Sequence, residues 1–313
     1  MKAAVVRSFD SLPRYEDVPI PEPAGGHEVL VDVLAAGLHP RVRSQADGSH
    51  YTSTGALPLV PGIDGVGRDA DGALHYFLLP DTTMGTMADH TLIDIRRSVP
   101  LPADTDAAAV AAGMNPAMSA WIALRRRIEF VEGAAVLVLG ATGSAGRLAI
   151  QVARHLGAGR VVAAGRDPDR LAGLAGLGAD VAVPLGTEAF GEAAADADVV
   201  LDYLWGDPAA AAMVSIVTGR RHRGRALHWV QIGSVAGPTA PVPSAALRAS
   251  GLTIVGSGQG SVSTGDILAE LPALAHEISA GTFGVDVEVK ELADVERAWA
   301  QAGRTNRRIV LVP

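Results

Sequence analysis

The sequence predicts an α/β protein in which a β-rich first part is followed by a doubly wound parallel sheet. Short β-type runs between Pro- and Gly-rich turns dominate the region before Asp104. Strands and helices then alternate from Ala134 onwards, which is typical of a parallel sheet with helices on both faces. A glycine-rich turn spanning Gly140 to Gly146 joins the first strand of this second part to its first helix.

The composition limits the class of protein. A chain of 313 residues, 48% of them hydrophobic, suggests about two domains with full cores. No apolar run approaches the ~20 residues that a membrane helix needs, and the net charge of −8 makes nucleic acid an improbable partner. The start of the chain is charged too early for a secretory signal, so we expect a cytoplasmic protein without a membrane partner.

Two residue types are scarce. The chain has no cysteine, which excludes disulfides and cysteine zinc ligands. Lysine occurs only at Lys2 and Lys290, so a phosphate gripped by a side chain is expected to be gripped by arginine, which can bind it with two donors.

The first part is predicted to end in helices, the second of which has an apolar face including Trp121 and Leu124. The predicted strands are 3–6, 29–33, 65–68 and 90–94, and the helices are 107–112 and 117–127. In the second part the predicted strands are 135–139, 160–164, 181–184, 199–203, 226–232 and 252–257. The helices between them are 144–156, 168–177, 188–195, 208–218 and 244–249. A helix (266–280), a strand (285–289), a helix (292–302) and a strand (308–312) follow and are expected to return to the first domain.

The glycine turn is typical of a dinucleotide-binding site. Glycines let the backbone turn sharply and approach the phosphates, and the following helix directs its N-terminal N–H groups and positive dipole end at them. A similar Thr-Gly-x-x-Gly turn occurs in short-chain reductases, but those carry it at the N-terminus, whereas here a long domain precedes it. The predicted cofactor contacts in this turn are Gly140, Thr142, Gly143, Ser144, Ala145 and Gly146.

The end of the second strand favours NADPH over NADH. NAD-binding proteins carry an acidic residue about 20 residues beyond the glycines, to bind the ribose hydroxyls. Here Gly165 and Arg166 occupy that region, which leaves space and a guanidinium for a 2′-phosphate, and Arg170 could add a contact. We interpret the nearby Asp167 as the N-cap of a helix starting at Pro168.

Further cofactor contacts are expected where other strands end, because ligands of open parallel sheets lie beyond the carboxyl ends of the strands. These predicted contacts are Asp202, Gly233, Ser234, Gly256 and Ser257. Asn115 is predicted at the start of the helix that leads into the cofactor domain, where it could cap that helix or approach the nicotinamide.

Six motifs in this order resemble the medium-chain dehydrogenase/reductase superfamily, and their details are similar to its zinc-free quinone oxidoreductase-like branch. They are VLVDVLAAGLHP (29–40), LVPGIDGVG (59–67), GTMADH (85–90), VQIG (230–233), RTN (304–306) and RIVL (308–311). The resemblance implies a Rossmann domain at 116–265 and a GroES-like substrate domain at 1–115 and 266–313.

The resemblance also implies an activity, namely hydride transfer from NADPH to a quinone or an α,β-unsaturated carbonyl. It suggests that Gly233, Ser234 and the Gly256 turn run beside the nicotinamide and its ribose, and that Arg304 reaches a phosphate. Dimers of the superfamily often pair their sheets through the last strand of the cofactor domain, so we expect a homodimer formed through residues 252–256.

The sequence predicts no metal site. Zinc-dependent members of the superfamily use a Cys and the His of a Gly-His-Glu motif. In this chain His39 stands in the position of that Cys, and Ile63 stands in the position of that His. Because His39 and Asp64 alone cannot supply the donors of a catalytic zinc ion, we interpret His39 as a pocket-lining or hydrogen-bonded histidine. Conjugated acceptors need no metal, which favours their reduction over simple alcohol oxidation.

The residue that assists the acceptor is predicted less sharply. The related enzymes carry a tyrosine in an Arg-x-Gly-x-Tyr loop, and here one extra residue leaves either His50 or Tyr51 in that role. His39 is a third candidate, for a substrate oxygen or the nicotinamide carboxamide, and Trp205 either narrows the pocket or packs against the sheet.

Two other functions stay open at this point. The chain could be a biosynthetic tailoring enzyme that reduces enoyl or keto groups, which a panel of enones against quinones would separate from a quinone reductase. It could also bind NADPH as a sensor or structural protein with little turnover.

Overall fold

The computed structural model describes residues 1–305 and 307–313, and the chain divides into two compact units. Unit 1 comprises Met1–Asn115 and Leu271–Pro313, and unit 2 comprises Pro116–Glu270. The expected domains divide at residues 115 and 265, and the compact units divide after Asn115 and after Glu270, which is bonded to Trp121 and two arginines of unit 2. The assignment of the two units as a substrate domain and a cofactor domain stays a prediction. Asn306, the last residue of the RTN motif, lies outside the described residues.

The first 122 residues contain seven strands and two α-helices, counted in the described part of the chain. They are β1 (Lys2–Val5), β2 (Arg14–Asp17), β3 (Glu28–Leu38), α1 (Pro40–Ala46), β4 (Asp64–Arg68), β5 (Leu74–Leu78), β6 (His90–Asp94), β7 (Ser98–Leu101) and α2 (Ala107–Ile122). The elements β2, α1, β5 and β7 were not predicted. Of these, α1 begins with Pro40 at its first position, where the fixed φ of proline suits a helix and its missing N–H removes no bond.

The alternating elements of unit 2 follow. They are β8 (Ala135–Leu139), α3 (Ser144–His155), β9 (Arg160–Gly165), α4 (Pro168–Ala172), β10 (Val181–Pro184), α5 (Glu188–Ala194), β11 (Val199–Asp202), α6 (Gly206–Gly219), β12 (Ala226–Gln231), α7 (Ser244–Arg248) and β13 (Gly251–Gly256). The chain ends with α8 (Thr264–Ser279), β14 (Val287–Glu291), α9 (Val295–Gln301) and β15 (Arg308–Val312).

The sheet of unit 2 is the predicted doubly wound parallel sheet. Its six strands lie in the order β10-β9-β8-β11-β12-β13, and every neighbouring pair is parallel. The inner strands are continuous apolar runs because both faces of the sheet are covered: residues 136–139 of β8 are fully buried. This order places the glycine turn after β8 beside the end of β11, where the direction of winding changes.

Unit 1 is built on sheets in which the pairs are antiparallel except for the parallel pair of β14 and β15. β1 pairs with β2, and a seven-stranded sheet has the order β14-β15-β3-β4-β5-β7, with β6 paired to the first half of β3. β15 returns the end of the chain to the second half of β3, as the sequence predicted. The two halves of the long strand β3 therefore have different partners, and the bulge between Val33 and Ala35 lies where the partner changes.

Helix α2 differs most from its prediction. It was expected as two helices, but it runs unbroken through Pro116 and continues as a π-helical turn at Ala123–Arg127. Over its 21 residues this helix is long and apolar enough to cross a membrane by length and composition, and 67% of its most apolar window is buried in the fold. It is the one such helix among the residues that the structure describes.

Candidate active site

Three glycines shape the turn between β8 and α3, each for its own reason. Gly140 has a φ of +83°, a left-handed conformation that residues with a Cβ rarely adopt. A Cβ on Gly146 would lie 2.3 Å from the carbonyl oxygen of Gly140, so α3 can approach the strand end only with glycine there. Gly143 has extended backbone and is the N-cap of α3, with no side-chain cap.

The first turn of α3 therefore offers uncapped amides, among them those of Ser144, Ala145 and Gly146. The first N–H groups of a helix have no carbonyl partner within it, and the positive end of the helix dipole favours an anion. No acidic side chain stands in this turn to compete. Because these uncapped amides stand at the strand end, where Gly146 lets α3 approach closely, the residues present form a cradle that fits the pyrophosphate of a dinucleotide.

The end of β9 is adjusted to this turn. A Cβ on Gly165 would lie 2.9 Å from Cγ2 of Thr142, so the small residue at the strand end is explained by the threonine beside it. Nη2 of Arg170 donates to the carbonyl oxygen of Thr142 over 2.8 Å, and its Nε is buried without a partner in the described part of the chain. Arg170 is thus held against the glycine turn rather than extended into solvent.

The acidic residue beside Arg166, Asp167, caps the helix that follows it. The carboxylate of Asp167 accepts the N–H groups of Asp169 and Arg170 over 3.0 and 3.3 Å, which confirms its predicted role as the N-cap of α4. Arg166 is exposed directly after β9. Besides this guanidinium, the carboxylates of Asp167 and Asp169 are exposed at this strand end, and that of Asp167 is engaged as the helix cap.

The position of Asp202 corrects a prediction. This residue was expected to contact the cofactor, but it is fully buried, and Oδ1 accepts the N–H groups of Leu204 and Trp205 while Oδ2 accepts the Trp229 indole. Burial raises the pKa of its carboxyl group, and these three donors stabilise the charged form. Asp202 therefore holds the turn after β11 and does not face solvent. Tyr203 is buried as well, and its hydroxyl is bonded to Ser119 Oγ at 2.9 Å.

Trp205 has an unusual backbone in this same turn. Its φ of 53° and ψ of −160° lie in a region that is essentially restricted to glycine. The indole packs against the core cluster of the unit 2 sheet, so the packing alternative for Trp205 is the one that the structure shows.

The remaining predicted contacts of unit 2 lie at the ends of β12 and β13. A Cβ on Gly233 would lie 2.8 Å from the carbonyl oxygen of Tyr203, and Ser234 is exposed next to it. The N–H of Ser257 donates to the carbonyl oxygen of Gln231 over 2.8 Å, which continues the β12–β13 ladder by one residue. The carbonyl oxygen of Gly256 accepts from Arg127 Nε over 2.7 Å. Sequence reasoning missed Arg127, for which a run of three arginines at a helix end was the available signal.

Asn115 and Arg304 belong to other elements. Asn115 lies inside α2, so it does not cap a helix and that alternative is wrong; its approach to the nicotinamide stays a prediction. Arg304 is exposed after α9, and its N–H donates to the Gln301 carbonyl oxygen.

A buried polar cluster surrounds His39 in unit 1. His39 Nε2 lies 2.9 Å from Asp64 Oδ1, and the Tyr76 hydroxyl donates to Asp64 Oδ2 over 3.0 Å. Burial lowers the pKa of His39, and the nearby Arg308, whose own pKa burial lowers to about 10, adds to this effect. Nδ1 of His39 is buried and has no partner among residues 1–305 and 307–313. The structure confirms a hydrogen-bonded histidine.

His50 and Tyr51 follow α1 on a short loop. Tyr51 is 72% exposed, and its ring lies 4.2 Å from the His50 ring between centroids. The Thr52 hydroxyl accepts from Arg41, which is paired with Asp81, and donates to His50 Nδ1 over 2.8 Å. Burial, with the charge of Arg41 next, lowers the pKa of His50 to about 4.

The positions where related proteins hold zinc contain a different arrangement. His39 and Asp64 bind each other, and Ile63 packs against the apolar cluster that contains Trp299 and Leu311. No three His, Cys, Asp or Glu side chains converge within the described ranges. The absence of a metal remains a prediction.

Several known proteins of similar sequence and structure are named as reductases or quinone oxidoreductases. The chain is 31% identical to a probable NADPH-dependent quinone reductase of Emericella nidulans over the whole of both chains. It is 29% identical to the chloroplastic NADPH-dependent alkenal/one oxidoreductase of Arabidopsis thaliana, over 64% of this chain and 57% of that one. The structure of the quinone oxidoreductase from Thermus thermophilus, also solved with NADPH, is similar over the whole of both chains, with a TM-score of 0.85 and 26% identity.

No family model matches the chain. Three findings support the same assignment: 31% identity to the Emericella nidulans protein over the full length, similarity to the fold of the Thermus thermophilus enzyme, and the glycine turn after β8. The chain belongs to the quinone oxidoreductase-like branch of the medium-chain dehydrogenase/reductase superfamily.

Proposed function

We propose that this protein is an NADPH-dependent oxidoreductase that transfers hydride to a quinone or an α,β-unsaturated carbonyl without a metal. The observation that carries the proposal is the uncapped start of α3 after the turn Gly140–Gly146, which α3 can approach closely only because position 146 is glycine. The named activities of the Emericella nidulans and Arabidopsis thaliana relatives support both the cofactor and the acceptor classes.

The preference for NADPH rests on Arg166. It is exposed directly after β9, and the one acidic residue next to it, Asp167, is used as a helix cap. A guanidinium binds a 2′-phosphate with two parallel bonds, whereas the ribose hydroxyls of NADH call for a free carboxylate. Arg170, fixed on the Thr142 carbonyl, contributes positive charge to the same end of the sheet.

When bound, NADPH supplies the hydride, and the acceptor then carries negative charge on its oxygen. His50 and Tyr51 suit that oxygen best. Because its pKa is lowered to about 4, His50 is neutral at physiological pH, and since Nδ1 accepts from Thr52, the ring proton is on Nε2 and free to be donated. The exposed Tyr51 hydroxyl is a second donor. Such donors stabilise an oxyanion that develops during hydride transfer.

His39 suits a different task. In the neutral ring that its lowered pKa favours, Nε2–H donates to Asp64 and the unpartnered Nδ1 is an acceptor. It would therefore bind an N–H group, as in a carboxamide, in preference to a carbonyl oxygen. Asp64 is bonded to both His39 and Tyr76, which leaves the single Nδ1 of His39, and one nitrogen donor cannot hold a catalytic zinc ion; this supports zinc-independent chemistry.

Assays with the purified protein test this proposal. We expect loss of NADPH absorbance with a quinone or an enone present, unchanged by chelators, and the ratio of enone to quinone rates separates a tailoring enoyl reductase from a quinone reductase. Tyr51→Phe and His50→Gln are each expected to lower kcat roughly tenfold without changing NADPH affinity. Chelator-sensitive alcohol oxidation would overturn the proposal, and NADPH binding without turnover would favour a sensor or structural protein.

We also propose a homodimer. β13 is the edge strand of the unit 2 sheet, and the partly buried Ile254 and Val255 lie on it. An apolar edge strand is a template for pairing with a second copy. Sedimentation should give a dimer at micromolar concentration, and a monomer there would contradict this assignment. The cytoplasmic location rests on the composition and remains a prediction.

A further inference from the structure

The π-helical turn Ala123–Arg127 is fixed by one buried carboxylate. Glu270 is 4% exposed, and it accepts Trp121 Nε1, Arg125 Nε and Arg126 Nε over 2.9, 2.5 and 2.7 Å. These three donors compensate for taking the carboxylate out of water, and removing them would leave an unpaired buried charge. The donors Trp121, Arg125 and Arg126 precede Arg127 in the chain, so their bonds to Glu270 hold the backbone that leads into Arg127.

Arg127 is not one of the three donors to Glu270; its guanidinium bridges the ends of a turn instead. Its Nε donates to the Gly256 carbonyl oxygen over 2.7 Å and its Nη1 to that of Ser261 over 2.9 Å. Inside the turn, Ser261 Oγ accepts the N–H of Gly258 and donates to its carbonyl oxygen. Gly260 has a φ of +92°, so the turn is tight and depends on a left-handed residue. A single guanidinium thus fixes the first and last carbonyl groups of the turn 256–261.

The turn 256–261 lies at the end of the sheet where the nicotinamide half of a bound dinucleotide is expected. The pyrophosphate cradle follows β8, and the 2′-phosphate side is marked by Arg166 after β9, on one side of the cradle. The other half of a bound dinucleotide must extend across the ends of β11, β12 and β13. The turn 256–261 begins at the end of β13, on that half.

We infer that Arg127 is a positioning residue that holds the turn 256–261 in the conformation that receives the nicotinamide half of NADPH. The inference rests on the proposed function, because it concerns the same cofactor. It adds that the turn on the nicotinamide side of the site, residues 256–261, is held by a charged group of the π-helical turn, which lies outside the glycine motif. Arg127 itself does not need to touch the cofactor.

Binding of whole and partial cofactor to the full-length protein tests this inference. Arg127→Met keeps the apolar stem but removes both donors, and we expect the Kd for NADPH to rise about tenfold, the equivalent of one charged hydrogen bond. The Kd for 2′,5′-ADP, which lacks the nicotinamide half, should stay within about twofold, because the cradle and Arg166 are unchanged. Arg127→Lys should recover only part of the loss, since an ammonium is a point charge and not a fork.

Arg125→Met is the matched control. Arg125 belongs to the same turn but donates to Glu270, and in its absence Trp121 and Arg126 still bind that carboxylate and hold the π-helical turn, so its loss should lower thermal stability and leave both Kd values within about twofold. Amide hydrogen exchange over residues 256–261 should accelerate in Arg127→Met and not in Arg125→Met. Equal loss of NADPH and 2′,5′-ADP affinity in Arg127→Met, or no loss of either, would overturn the inference. A wild-type protein that binds neither ligand would overturn the proposed function instead.

Discussion

The turns that follow the neighbouring strands β8 and β11 both connect a strand to a helix, but they differ in how their backbone N–H groups are satisfied. Both lead from a buried parallel strand into a helix, at adjacent positions in the sheet. After β8, glycines leave the first amides of α3 without a side-chain cap. After β11, the carboxylate of Asp202 accepts the amides of Leu204 and Trp205, and a large side chain occupies a glycine-like conformation.

The difference shows that neighbouring turns at the same edge of a sheet can have different roles: one can bind a ligand, and the other stabilises the fold. Neither helix has a side-chain cap, but α6 carries the acidic Asp207 in its first turn and the amides of the turn before it are satisfied by Asp202, whereas no acidic side chain stands in the first turn of α3 to compete with an anion. The turn after β8 is therefore open to a ligand, and the turn after β11 is a closed structural corner. Substitutions at four positions test this contrast, beginning with the largest effect.

Gly146→Val should abolish NADPH binding and lower stability by about 4 kcal/mol or more, because its Cβ would overlap the backbone of Gly140 and α3 would have to move. Fluorescence titration with NADPH and thermal unfolding measure the two effects. Gly143→Ala is the control, since its Cβ would meet only the Gly140 carbonyl oxygen at 3.5 Å and its φ is −78°. If valine at 146 is tolerated, the close approach of α3 is not required.

Asp202→Ala should destabilise the protein by about 3 kcal/mol, because two amides and the Trp229 indole lose their acceptor in a buried place. Asp202→Asn should cost less, since it keeps one acceptor oxygen for the two amides. Denaturant unfolding gives these values. If Asp202 is only a corner residue, NADPH affinity of the folded Asn variant stays close to that of the wild type; a large selective loss would restore it as a cofactor ligand.

Trp205 allows the strain in the closed turn to be measured. Both Trp205→Ala and Trp205→Gly lose the indole packing, but only glycine adopts the observed φ of 53° and ψ of −160° freely. We expect the glycine variant to be more stable than the alanine variant by about 1–2 kcal/mol. In an unstrained position alanine would be the more stable of the two, so that order would refute the strain.

Arg166→Ser tests the open side with the smallest change. Removal of the exposed guanidinium should lower the preference for NADPH over NADH roughly tenfold, with little change in NADH affinity. The ratio of kcat/KM for the two cofactors is the measurement. Arg221→Ser, at the far end of α6, is a control for loss of charge elsewhere. An unchanged ratio in Arg166→Ser would assign the 2′-phosphate to another arginine.

The open turn was predictable from sequence and the closed one was not. Gly140 and Gly146 carry their geometry in their residue type, since glycine permits the positive φ of the first and the close backbone approach of the second. Asp202 stands at a strand end as a ligand residue would, and its actual partners are the indole of Trp229 and two amides of its own turn. A strand-end position therefore does not distinguish a cap from a ligand.

Helix α2 shows a second limit. Local signals suggested a helix start near Asn115 because proline follows it, yet packing carries the helix through Pro116. The π-helical turn that follows directs three consecutive arginines to two separate tasks, two of them to Glu270 and one to the turn 256–261. These partners are more than a hundred residues away along the chain, so no window of sequence contains them.

The distribution of ammonium groups has a consequence for chemical modification. Lys2 pairs with Asp17 and Lys290 with Glu288, both in unit 1, and the sequence of unit 2 has no lysine at all. The cationic groups that would meet the cofactor are guanidinium groups, which acylating agents do not modify under mild conditions. Acetylation of this protein would therefore reach only the amines of unit 1 and leave the charge of the dinucleotide-binding edge unchanged.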